Sequence, residues 1–103
     1  MLTKKLMIAM MFILMLAAGS VQAAGDAARG AELAEDCAGC HGDDGLGDED
    51  FPAIAGLDAT EHAKKLADFK SGAVESEMAD YVGDISEQDM ADLAAYYATL
   101  PGK

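Results

Sequence analysis

Two thiols and an imidazole stand together at Cys37, Cys40 and His41, in the run CAGCHG that ends at Gly42. These are the only cysteines in the chain, so a cysteine-based chemistry must be done by this pair. Zinc binding, disulfide exchange and covalent attachment of haem all use a Cys-x-x-Cys spacing. Zinc needs about four ligands, and the chain offers no second pair. Its other histidine, His62, stands beside Lys64 and Lys65 and reads as a solvated residue on a helix face. Thiol exchange wants the pair at the start of a helix that follows a strand, whereas here it closes a helix in a chain with no strand pattern. A disulfide across two intervening residues would be strained and would close too short a loop to stabilise much. Cys-x-x-Cys-His remains, the attachment site of a c-type haem. Two thiols at a helix end can reach two vinyl groups on one porphyrin edge, and the next histidine then lies under the iron.

An iron held by His41 on one side has a second axial position to fill. After Gly42 the chain has only Met78 and Met90 as thioethers. Met90 falls on the apolar stripe of a helix and reads as core. Met78 lies in SGAVESEMADYVGD, between helices and among polar neighbours, where a loop could carry it over a haem face. His62 is the competing ligand, and would need its helix turned inwards.

The elements that must position these groups read as helix, long loop, helix, loop, helix. In DAARGAELAEDCA, residues 26–38, Ala27, Gly30 or Ala31, Ala34 and Cys37 form one stripe, with Glu32, Glu35 and Asp36 outside it. HGDDGLGDEDFPAIAG is rich in glycine and acid and reads as loop up to Gly56. A second helix starts at a capping Asp58, runs through Leu66 and Phe69, and stops at Ser71 and Gly72. The third is capped by Ser86 with Asp89 three residues on, and Ile85 is placed to pack on Met90. Met90, Leu93, Ala94, Tyr97 and Leu100 repeat at helical spacing before Pro101 and Gly102 end the run.

The first 23 residues read differently. Lys4 and Lys5 precede an unbroken apolar run from Leu6 to Ala18, and VQA ends at Ala23 with small residues at the −3 and −1 positions. That is the pattern of a secretory signal peptide, and the run is shorter than the roughly 20 residues a membrane span needs. The expected division is residues 1–23 as a cleaved leader and 24–103 as one exported domain with no membrane anchor. A domain of that size, weighted towards alanine and without tryptophan, buries a thin core unless something staples it. A bound cofactor would serve.

After cleavage five basic residues face nineteen acidic ones, a net charge of −14. Nucleic acid and anionic membranes are poor partners for such a surface. Asp43, Asp44, Asp48, Glu49 and Asp50 follow the haem motif closely. They read first as part of a generally acidic, solvated surface, and second as a rim that steers redox partners with basic docking surfaces.

Together, CAGCHGDDGLGDEDFPAIAG, LADFKSG and a methionine eight residues before SEQDMADLAAYYATL resemble the small bacterial class I cytochromes c. They are also similar to the haem subunit of flavocytochrome c sulfide dehydrogenase. The resemblance runs from Asp26 to Leu100. It implies an all-α fold, three main helices and loops wrapped around one covalently attached haem c. Cys37 and Cys40 would carry the thioethers, and His41 and Met78 would be the axial iron ligands. Pro52 would accept a hydrogen bond from the axial imidazole, Ile54 would pack on the haem, and Gly30 would let the first helix cross the last against Tyr96 or Tyr97. Related sequences often have an aromatic where this chain has Ala34, which implies a thinner contact there. The implied function is a periplasmic one-electron carrier, a monomer or a subunit of a redox complex, without catalysis of its own. The alternatives are the haem subunit of a flavin-dependent dehydrogenase and, further off, a ligand-binding or peroxidase-like haem protein.

Overall fold

The computed structural model describes residues 25–102, which form five helices and no strand. The leader expected over residues 1–23 lies outside the described residues. We label the helices α1 (Ala27–Leu33), α2 (Glu35–His41), α3 (Ala59–Ser71), α4 (Met78–Val82) and α5 (Glu87–Thr99). Among the described residues no helix is long and apolar enough to cross a membrane.

The single helix expected over residues 26–38 is two helices. Asp26 caps α1 by accepting hydrogen bonds from the backbone N–H groups of Ala28 and Arg29. The chain then breaks at Ala34 and restarts, with Cys37 and Ala38 both donating to the Ala34 carbonyl. Of these two helices it is α1, not α2, that packs extensively on α5. The break therefore separates the segment docked on the core from the segment that carries the two thiols and His41.

Gly30 sets how closely α1 approaches α5. A Cβ there would lie 2.0 Å from the Asp92 carbonyl oxygen and 2.8 Å from Cβ of Tyr96. Of the two expected partners Tyr96 is therefore the neighbour, and any side chain at Gly30 would push the helices apart. Asp92, 1% exposed, fastens the same crossing with its carboxylate. It accepts from the Asp26 backbone N–H and from Nη1 of Arg29, each at 2.7 Å, and from Nε2 of Gln88 at 2.9 Å. Those bonds, the one from Asp26 first, hold the Asp92 carboxyl below the usual carboxylate range.

Helix α3 begins and ends as its sequence predicts. The Asp58 side chain accepts from the Glu61 N–H, and Gly72 closes the helix in the left-handed region. Helix α5 starts with the full capping box of Ser86 and Asp89. Ala34, Leu66, Val82, Met90, Leu93 and Tyr97 form the buried core, with Cys37, Ile54, Phe69, Met78 and Ile85 among the half-buried side chains against it. Burying one Leu or Met side chain is worth about 1.5–3 kcal/mol, so six such positions, one of them alanine, make a small core. Most residues singled out for haem contact lie at its margin.

Candidate haem-binding site

His41 is the last residue of α2 and is 5% exposed. Its Nδ1 lies 2.8 Å from the Pro52 carbonyl oxygen. A carbonyl can only accept, so Nδ1 carries the proton and Nε2 keeps its lone pair, the form a metal needs. The loop that returns Pro52 to His41 is held by its own backbone. Gly47 donates to the His41 carbonyl, Ile54 and Ala55 both donate to the Gly45 carbonyl, and Asp48 donates to Phe51. Gly47, at φ +65°, sits so close that a Cβ would lie 2.3 Å from the Phe51 oxygen and 2.7 Å from the Pro52 oxygen. Glycine at 47 thus leaves room for the acceptor that orients His41. The Phe51 ring meets the imidazole edge-on, with centroids 6.3 Å apart.

Cys37 and Cys40 are free, half-buried thiols on one side of α2, a turn before and beside His41. Burial pushes the Cys37 thiol up, against an opposing hydrogen bond with Tyr97. Met78 is not in a loop as expected: it opens the short helix α4, with its N–H on the Ser76 hydroxyl at 3.1 Å. Its side chain is half-buried against the core that also touches Cys37 and Ile54. Ile54 takes the expected half-buried position. Pro52 is exposed, and only its carbonyl is engaged with the site.

One expectation fails. His62 is not a solvated surface residue; it is 5% exposed, with its ring 5.7 Å from that of Tyr97. Burial, then the charge of Lys65, then that of His41 lower its pKa to about 4. The buried side of α3 runs His62, Leu66 and then half-buried Phe69. That i, i+4, i+7 spacing was legible in the sequence, and the neighbouring lysines masked it. Tyr97 and Asp92 are the other residues whose importance the motif alone did not reveal. The acidic residues after the motif, Asp43, Asp44, Asp48, Glu49 and Asp50, are all exposed. Two of them also shape the loop: Asp44 accepts from the Leu46 N–H, and Asp48 from those of Asp50 and Phe51.

Residues 27–101 match the family model described as Cytochrome c. The chain belongs to the cytochrome c family. It is 39% identical over 97 residues to cytochrome c4 of Pseudomonas aeruginosa, a match covering 92% of this chain and 48% of that protein. It is 40% identical over 90 residues to cytochrome c-554(547) of Halothiobacillus neapolitanus, covering 75% of this chain and 99% of that one. Among solved structures, reduced recombinant cytochrome c4 from Pseudomonas stutzeri superposes with a TM-score of 0.69 at 26% identity, covering 76% of this chain and 52% of that one. The chain thus spans about half the length of the cytochrome c4 relatives it matches. The fold is that of a class I cytochrome c, and membership brings a covalently bound c-type haem. The donor set fits that cofactor: two unpaired thiols, a buried imidazole with its second nitrogen fixed as acceptor, and a half-buried thioether.

Proposed function

We propose that this cytochrome c is an exported one-electron carrier, with the haem tethered by Cys37 and Cys40 and its iron ligated by His41 and Met78. The observation that carries the reading is the bond from His41 Nδ1 to the Pro52 carbonyl at 2.8 Å. It presents the imidazole in one tautomer and one orientation, as a metal-ligating histidine requires. The bound haem supplies a reversible one-electron change at iron. The protein's residues do the rest. His41 and Met78 would hold the iron between them and leave it no site for a substrate, and a thioether paired with an imidazole would favour a high potential. Two covalent tethers keep the cofactor in an exported protein. Half-buried Cys37 and Cys40 put the attachment edge near solvent, where electrons would enter and leave. Ile54 and Phe69, with the buried core, keep water from the interior.

Residues 1–23 act in this reading as the leader that sends the domain at 24–103 to the periplasm. There the partners are other redox proteins, and the exposed acids after His41 favour those with basic surfaces.

The test is Met78→Ala in the full chain, expressed with a haem-maturation system. The wild type gives a low-spin spectrum with a sulfur-to-iron charge-transfer band when oxidised. The variant loses that band and gains carbon monoxide binding at neutral pH. A band that survives the substitution would overturn Met78 as ligand.

A further inference from the structure

We infer that the cleft between the first two helices and α5 receives a lysine or arginine side chain of a redox partner protein. The aliphatic stem lies against Tyr96 and Tyr97, and the charged end turns towards Glu35 and Asp43. This role rests on the proposed carrier function, since a carrier must meet other redox proteins.

The cleft has a volume of about 210 Å³. Ala34 and Tyr97, 5% and 2% exposed, form its floor. Ala38 and Tyr96 are half-buried in its walls, and Ala31, Glu35 and Asp43 are exposed at its mouth. Methyl groups and aromatic rings thus line the inside, and the negative charge stands at the opening. The lining residues do not include Cys37, Cys40, His41, Ile54 or Met78, so the cleft is separate from the haem donors. Tyr97 connects the two, because it also hydrogen-bonds the Cys37 thiol. An occupant would therefore rest on a side chain that touches the attachment motif.

Size and chemistry select that occupant. Pockets for small molecules run from roughly 300 to 1,000 Å³, and this cleft is smaller, which suits a single side chain. Lysine and arginine bury an aliphatic stem while keeping the charge near water, and a cation over a tyrosine face is attracted to it. The acids at the mouth have no internal counter-charge. Among the described residues the ion pairs are those of Arg29 with Asp89 and Asp92 and of Lys64 with Asp68, and neither Glu35 nor Asp43 takes part. A second copy of this chain is a poor source of the cation. Its Arg29 and Lys64 are engaged in those pairs, its Lys70 lies on the Ile85 carbonyl, and it brings a net charge of −12. Charge complementarity therefore points to a different, basic protein.

The experiment titrates the reduced, 15N-labelled holoprotein with acetylated tetralysine amide at low salt. Saturable shifts should appear at the amides of Ala31, Glu35, Ala38 and Tyr96, with nuclear Overhauser contacts from lysine methylenes to the Tyr96 or Tyr97 ring. Glu35→Gln combined with Asp43→Asn should weaken binding roughly three- to tenfold, the scale of two exposed ion pairs. Ala31→Leu keeps both charges but fills the mouth, and should remove the ring contacts. Glu75→Gln with Asp84→Asn removes the same charge elsewhere and should leave the affinity nearly unchanged. Shifts spread evenly over the acidic surface, or an equal loss in the two double variants, would overturn the inference in favour of diffuse attraction. Equal binding of a peptide with norleucine in place of lysine would overturn it in favour of an apolar occupant. Self-association of the free protein through the cleft would overturn it in favour of a second copy. Failure of the carrier reading is distinguishable, since the wild-type haem would then not cycle reversibly in voltammetry, whatever the titration gives.

Discussion

Nη1 of Arg29 lies 2.7 Å from the carboxylate of Asp92, which is almost fully buried while the arginine is half-exposed. The pair joins α1 to α5, and the Asp26 N–H and the Gln88 amide complete the set of donors. This polar clamp holds the first helix on the last, one helix before the segment that carries Cys37 and Cys40. If α1 lifts from α5, the chain leading to Cys37 loses its anchor.

Asp92→Ala should lower the thermal midpoint of the holoprotein. The Asp26 N–H would lose a part-buried hydrogen bond to a charged acceptor, worth about 1.5–3 kcal/mol. Thermal unfolding followed at the haem absorption band measures it. The companion Asp92→Asn keeps the shape and lets the charge be assessed separately.

The same carboxylate gives a pH dependence. Its folded pKa is lowered, chiefly by the Asp26 backbone bond. Its contribution to stability is therefore present above the ordinary carboxylate range, about pH 4, and is lost as pH falls through the folded value. Unfolding of the wild type should grow easier below about pH 4. The slope should be shallower in Asp92→Asn, as denaturant titrations at several pH values would reveal.

Gly30→Ala is expected to be among the most damaging single changes. The new Cβ meets the Asp92 backbone oxygen 2.0 Å away, and backbone on a packed helix yields poorly. Overpacking of this kind costs about 1–3 kcal/mol, sometimes more. The yield of haem-loaded protein and its thermal midpoint should both fall, whereas Gly39→Ala, in open space, serves as the control.

Gly47→Ala acts on the ligand through its neighbour. The Cβ would intrude on the Pro52 carbonyl, and a left-handed alanine costs about 1–2 kcal/mol in addition. The His41 bond should lengthen and the imidazole become a poorer donor to iron. We expect a raised reduction potential with the low-spin spectrum retained. An unchanged potential would show that Pro52 does not tune His41.

The acidic loop gives a kinetic prediction. If Asp43, Asp44, Asp48, Glu49 and Asp50 steer a basic partner, electron-transfer rates fall steeply with salt. At about 1 M the Debye length is near 3 Å. Stopped-flow rates that hold steady from low to molar salt would assign these acids to solvation and to the turns that Asp44 and Asp48 hold.

The sequence by itself determined the attachment motif, the helix boundaries at Asp58, Gly72 and Ser86, and the all-α class. Each is a local signal, written in residues three or four apart or in a cap beside its helix. His62 and Asp92 were decided only by tertiary structure. The spacing of His62, Leu66 and Phe69 hinted at a buried stripe, but only packing α3 on α5 shows that the imidazole goes in with it and Lys64 and Lys65 stay out. Asp92 looks like one more surface acid among nineteen until α1 crosses α5 and brings a backbone N–H from sixty-six residues away. Burial of a polar group depends on which helices meet, and no local pattern encodes that meeting.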